Sequence, residues 1–215
     1  SQQIVNVAIN NLDEVAPSIT SSTTADAIDE NSGADQVVYT ATADDSLDIS
    51  AGVTFSLSPE SDTAFSIDSS TGAVTLSADP DFEDQSEYSF SVIATDAAGN
   101  VNEAQSVILD INNLDEVAPS ITSGDTAVAI NENTGAGTVI YTATADDSLD
   151  ISAGVTFSLT GESDPALSID PSTGAVTLSA DADYETQSQY SFAVIATDAA
   201  DNESDAQLVT LDINN

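Results

Sequence analysis

A chain that repeats itself over about one hundred residues has few ways to fold. Shifted by 102 residues, positions 12–113 align with 114–215 without a gap; 24 of the 102 pairs differ, which leaves 78 identical. A unit of that length can bury its own core, so each copy is a whole domain and not one turn of a solenoid. The expected organisation is a domain at 12–113, a second at 114–215, and residues 1–11 as the last strand of a preceding repeat or a linker. The middle stretch LDINNLDEVAP (109–119) recurs near the start as INNLDEVAP (9–17), and its first half recurs at the end as LDINN (211–215). A sequence that opens and closes inside one motif reads as a piece of a tandem array. In the opening copy, Ala8 stands where the middle copy has Asp110.

Within each copy the apolar residues alternate with a period of two, the signature of strands with one buried face. QVVYTATA (36–43), GVTFSLS (52–58), AFSID (64–68), AVTLS (73–77), YSFSVIAT (88–95) and QSVILDI (105–111) read as strands, and the run after Pro17 adds a seventh. Turn-forming stretches such as SSTG (69–72) and AAGN (97–100) separate them. Nothing is patterned as a long helix. The fold class is therefore all-β: two tandem seven-stranded Greek-key β-sandwiches of immunoglobulin-like architecture, joined end to end. The absence of Cys and Trp argues against a true immunoglobulin domain.

Charge decides which partners such sandwiches can have. The chain has 38 Asp plus Glu and no Lys, Arg or His, a formal charge of −38. Nucleic acid and anionic membrane surfaces both require basic patches, so neither is a partner. No internal salt bridge can form between side chains. Each carboxylate must be solvated, bonded by a neutral donor, or bound to metal. No apolar run reaches the roughly 18 residues of a membrane span, and no basic leader is visible. The lack of Cys removes disulfides and thiolate sites alike.

The acids outside the strands fall at the two ends of a sandwich. Glu30, Asp81, Glu83 and Asp110 belong at one end of the first copy, and Asp44, Asp45, Asp48 and Asp96 at the other. Their second-copy counterparts are Glu132, Asp183, Glu185 and Asp212, then Asp146, Asp147, Asp150 and Asp198. Around the middle linker, Asp110, Asn112, Asn113, Asp115 and Glu116 place five oxygen-bearing side chains within seven residues. Scattered acids such as Asp26, Glu60, Asp62 and Glu103 read as a solvated face. For the linker set that reading fails. Two carboxylates about 4 Å apart repel by roughly 4 kcal/mol at an effective dielectric near 20. Calcium takes six to eight oxygens from carboxylates, amides and carbonyls, which this set provides; zinc and copper want His or Cys.

Six short stretches, in order, carry a resemblance to the cadherin domain. They are the acidic signal at Glu30, ADDSLD (43–48), FSIDSSTG (65–72), Asp81–Phe82–Glu83, YSFSVIATD ending at Asp96, and Asp110–Ile111–Asn112. The resemblance covers the whole 102-residue unit. It implies calcium at the domain junction, with Glu30, Asp81, Glu83, Asp110 and Asn112 as ligands from the first domain. From the second would come Asp198 and the run at Asp146, Asp147 and Asp150, all three standing as candidates because the acids are adjacent where the family spaces them. The linker here is three residues longer than the family pattern, Asn113 replaces its second aspartate, and Asp115 is the substitute. The near-identical repeats look most like stalk regions of giant bacterial surface adhesins.

Three function classes follow. The favoured one is a calcium-rigidified spacer that projects a distal binding domain from the cell surface, an extracellular monomer whose partners are its neighbouring repeats. The alternative is a module that itself adheres to a protein or glycan in a calcium-dependent way. Against it stand the missing Trp and the modest total of 5 Tyr and 6 Phe, most at inward strand positions. An enzyme with paired carboxylates lacks any His, Lys, Arg or Cys and has no cleft for its acids, so the chain is read as non-enzymatic.

Overall fold

The longest alternating run in each copy becomes the longest strand, and the rest of each unit is arranged on it. A computed structural model describes residues 3, 6–49, 52–151 and 154–215. The chain divides into two units, Ser1–Leu114 and Asp115–Asn215. The first unit contains β1 (Ser18–Ile19), β2 (Ile28–Asp29), β3 (Gln36–Thr40), β4 (Ala43–Asp44), β5 (Val53–Leu57), β6 (Phe65–Ile67), β7 (Ala73–Leu76), β8 (Glu87–Asp96) and β9 (Gln105–Asn112). The second repeats the order as β10 (Ser120–Ile121), β11 (Ile130–Asn131), β12 (Val139–Thr142), β13 (Ala145–Asp146), β14 (Thr156–Leu159), β15 (Leu167–Ile169), β16 (Ala175–Leu178), β17 (Gln189–Thr197) and β18 (Gln207–Asn214). No helix occurs among the described residues.

In the first unit a four-stranded sheet runs β2-β9-β8-β5, a three-stranded one runs β3-β7-β6, and β1 pairs with β4. β8 buries every second residue, Tyr88, Phe90, Val92 and Ala94, against Val74 and Leu76 of the facing sheet. Tyr39 and Phe65 pack their rings on Phe90, with centroids 5.5 and 4.7 Å away. The second unit builds the same core around Phe192, Val194, Val176 and Leu178.

Seven expected strands are resolved as nine because two of them change partner. The chain after Pro17 first pairs β1 with β4, then crosses to lay β2 parallel to β9, with Ile28 opposite Ile111. That crossing sets Glu30 beside the end of β9, where its amide donates to the Asn112 carbonyl. The QVVYTATA run breaks after Thr40, and a register shift between Val37 and Tyr39 turns both Val38 and Tyr39 inward. Of residues 1–11, read as a closing strand or a linker, residues 3 and 6–11 form no strand, while 1, 2, 4 and 5 lie outside the described residues.

The turn between β6 and β7 shows why its glycine is required. Gly72 and its counterpart Gly174 have φ of +73° and +68°, and a Cβ at either would strike the carbonyl oxygen of Ala41 or Ala143. Ahead of Gly174, Asp170 Oδ1 accepts from the Ser172 and Thr173 amides at 3.0 and 2.9 Å and from Ser172 Oγ at 2.8 Å. Those bonds, led by the Ser172 hydroxyl, hold the Asp170 carboxyl at about 2. Gly174→Ala is expected to destabilise the second unit by at least about 1–2 kcal/mol, the cost of left-handed backbone alone. Urea unfolding measures this; an unchanged midpoint would refute the steric account.

Candidate metal centres

Three carboxylates meet at one end of each unit, and each is delivered by a different segment. β8 ends at Asp96, which is only 6% exposed, and the tight turn after it folds back on the carboxylate. Asn100 donates its backbone N–H to Asp96 Oδ1 and its Nδ2 to Asp96 Oδ2, both at 2.8 Å. β4 pairs with β1 and ends at Asp44, so the next residue, Asp45, projects from the strand end. The third acid, Asp13, comes from the linker segment before Pro17. Asp13, Asp45 and Asp96 offer carboxylate oxygens that all lie within 4.8 Å of one another. In the second unit Asp115, Asp147 and Asp198 form the same group.

These groups are not explained by the protein's own hydrogen bonds. Asp13 Oδ1, Asp45 Oδ2, both oxygens of Asp115 and Asp147 Oδ2 are buried without a hydrogen-bond partner. A buried anionic oxygen with no donor is costly, and the first triad gathers two and the second three. Burial, then Asp115 and Asp198, pushes the Asp147 carboxyl above its ordinary value. Asp13 is also raised, by burial first and then by Asp96. Asp198 goes the other way: burial pushes it up, but bonds from the Asn202 side chain and from the turn amides outweigh that and hold it low. Asp96 behaves likewise with Asn100. A group that is pre-oriented, anionic and short of donors is what a hard cation completes.

The other end of each unit gathers glutamates. Parallel pairing of β11 on β18 lets the Glu132 amide donate to the Asn214 carbonyl at 2.8 Å. Glu132, Asp183 and Glu185 bring oxygens within 4.8 Å of one another. Burial, then Glu185, raises the Glu132 carboxyl, whereas Thr186 holds Asp183 low through its hydroxyl and amide. In the first unit Glu30 is 1% exposed; its Oε2 accepts from the Phe82 amide at 2.8 Å and its Oε1 from the Leu114 amide at 2.6 Å. Glu83 lies within 4.8 Å of Glu30, and Asp81 accepts from the Asp84 amide at 3.0 Å.

Several candidates fall outside these groups of three, although Asp48 still repels Asp13, and Asp146 and Asp150 still repel Asp147. Asp110 and Asp212 are exposed on β9 and β18, opposite Glu87 and Gln189, and Gln189 Nε2 donates to Asp212 at 2.8 Å. Asn112 donates to Asp29 Oδ1 at 2.9 Å. Asp44 caps the Ser46 amide, and Asp48 accepts from Asn11 Nδ2 at 2.7 Å. Asp146 lies opposite Ser120, and Asp150 Oδ2 accepts from the Glu116 amide at 3.4 Å. Of the acidic run, then, Asp147 enters the triad. Sequence reasoning missed Asp13, although INNLDEVAP makes it the counterpart of Asp115. It also leaves Asn100 as a plain turn residue and does not single out Asn202.

The sequence pattern of the cadherin domain matches residues 11–112 and 126–214. Human Protocadherin-23 is 31% identical over 169 residues, which is 72% of this chain and 5% of that protein. The Drosophila melanogaster protocadherin-like wing polarity protein stan is 29% identical over 155 residues, 66% of this chain and 4% of its own length. The chain thus spans about one-twentieth of these relatives. Among solved structures, human Protocadherin-24 EC1-2 superposes with a TM-score of 0.68 at 18% identity, over 94% of this chain and 98% of that one. Mouse Cadherin-23 EC22-24 gives 0.63 at 23% identity, over 92% and 66%. At these identities the structural likeness speaks for the fold.

Proposed function

Because this chain belongs to the cadherin domain family, whose domains are adhesion modules known to bind calcium and not enzymes, we propose that it is a calcium-rigidified spacer of a bacterial cell-surface adhesin. The observation that carries this reading is the use of linker aspartates in the triads. Asp13 and Asp115 both precede the first strand of their unit, and both have buried carboxylate oxygens without a donor. Calcium held by Asp115, Asp147 and Asp198 would tie the linker to the domain that it enters. The glutamate set Glu30, Asp81 and Glu83, with Asp110 and Asn112, would supply ligands at the other end of the first unit, and Glu132, Asp183, Glu185 and Asp212 would do so in the second. Asp44, Asp48, Asp146 and Asp150 complete the outer oxygens in this reading.

The ion would supply charge neutralisation and a fixed coordination geometry. The chain's own residues supply orientation: Asn100 and Asn202 hold one acid each, and the strand ends at Asp44 and Asp146 aim the next. Near-identity of the repeats supports a spacer, because duplication increases length before anything else. Its partners are the neighbouring repeats, its place is outside the cell, and it works as a monomer. Small-angle scattering in millimolar calcium should give one extended particle with a sharp maximum dimension, and calcium-free buffer a broad distribution. Identical curves in the two buffers would sink the spacer mechanism. Calcium-dependent self-association instead would favour the adhesive reading. Magnesium should substitute poorly, since it demands octahedral geometry and keeps its water.

A further inference from the structure

We propose that Asn202, with Asn100 as its counterpart, is a positioning residue that fixes the linker aspartate against the rest of its triad. This rests on the calcium reading above and adds the residue on which the affinity of that site depends. Asn202 Nδ2 carries two N–H donors and uses them on two different segments. One goes to Asp198 Oδ2 and the other to the backbone carbonyl of Asp115, both at 2.9 Å. Its backbone N–H also donates to Asp198 Oδ1 at 2.8 Å. One amide therefore sets the spacing between a strand-end carboxylate and the linker residue whose own carboxylate is another corner of the triad.

The same device is built independently in the first unit. Asn100 Nδ2 donates to Asp96 Oδ2 at 2.8 Å and to the Asp13 carbonyl at 3.0 Å. Between residues 99 and 103 the asparagine alone is the same in both repeats; Gly99, Val101, Asn102 and Glu103 face Asp201, Glu203, Ser204 and Asp205. The residue before it has positive φ in both units, 91° at Gly99 and 70° at Asp201, so the turn keeps its shape across the change. In a chain without Lys, Arg or His, an amide is one of the few donors that can bridge a carboxylate and a carbonyl. An aspartate there would have nothing to donate. The geometry leaves the triad's remaining oxygens facing one another, oriented before any ion arrives.

The test follows amide signals of Asp115 and Asp198 by NMR during a calcium titration of the full chain, with the Asp13 and Asp96 signals as the reference in the same molecule. Asn202→Ala is expected to weaken calcium binding at the second site by about 10- to 100-fold, the usual effect of losing a group that orients a ligand. Amides of residues 115–117 should also exchange faster in calcium-free buffer, while the first site stays as it was. Asn202→Leu keeps the bulk and loses both donors, so it should act alike and carries the test if the alanine variant is unstable. Ser204→Ala lies in the same turn and removes only an acceptor for the Ala196 amide; it should leave the affinity within about twofold. Asp147→Asn tests the calcium reading itself: wild-type affinity in that variant would overturn the site. If Asp147→Asn loses binding while both Asn202 variants stay within twofold of wild type, the site stands and the positioning role is wrong.

Discussion

Calcium at a hundredfold excess over its dissociation constant is expected to raise the melting temperature of each unit by on the order of 10–20 °C. A ligand that binds only the folded state stabilises it by about 2.7 kcal/mol at that excess, and a domain of this size moves by about 4–8 °C per kcal/mol. Asp147→Asn separates this from any general salt effect, because it should act in opposite directions in the two buffers. Without calcium the variant removes one of several carboxylates that share a donor-poor pocket. Asp147 Oδ2 has no partner, and its neighbours Asp115 and Asp198 repel its charge. The calcium-free melting temperature of the second unit should therefore rise. With calcium present, the same change deletes a ligand, and the calcium-dependent gain should vanish from that unit alone. Asp13→Asn should do the same in the first unit. Differential scanning calorimetry of wild type and both variants reads all of this. Equal melting in both buffers for wild type, or a full calcium gain retained by Asp147→Asn, would remove the triads from consideration as metal sites.

How far the site could be read beforehand depends on the kind of signal each residue gives. Period-two alternation in YSFSVIAT marks β8 and its buried face directly, because Tyr88, Phe90, Val92 and Ala94 have no polar alternative to the core. β2 gives no such signal. Ile28 and Asp29 form a two-residue strand fixed by its parallel partner β9, a long-range contact that no local pattern encodes. The acids show the same division. Asp96 closes one long strand and Asp198 directly follows the other, so their place at one end is legible. Asp110 is marked by its motif position alone; which side of β9 it takes, the exposed one opposite Glu87, is set by strand register. Asp13 was visible in the repeat alignment as the partner of Asp115 but was overshadowed by Ala8 in the same motif. Asn100 and Asn202 were hidden for a physical reason: an amide bridging two segments 87 residues apart leaves no trace in spacing.

The response to acid should reverse its sign with calcium. In calcium-free buffer, stability is expected to rise as pH falls from 7 toward about 4; in saturating calcium it is expected to fall over the same span. Asp13, Asp147 and Glu132 all have folded-state values raised by burial first and by neighbouring carboxylates next. A raised value means that the folded state holds the proton more tightly than the unfolded chain does. Its contribution is complete below the unfolded value and is lost as pH rises through the folded one. The formal charge of −38 acts in the same direction, since each proton taken up relieves repulsion in the compact state. Asp68, Asp96, Asp170, Asp183 and Asp198 are lowered on folding, so their contributions are present above the unfolded value and are lost as pH falls through the folded one. For Asp170 that loss begins near the unfolded value and is complete only below about 2. The calcium-free curve should therefore turn over below the ordinary aspartate value of about 3.9. With calcium, protons compete for the same carboxylates that the ion needs ionised, and the raised groups are the first to be taken. Thermal melts of dialysed, metal-free protein against protein in millimolar calcium, between pH 7 and 3, give both slopes. Parallel slopes would mean that the buried acids are relieved in some other way than by a cation, and the calcium sites assigned to the two triads would fall.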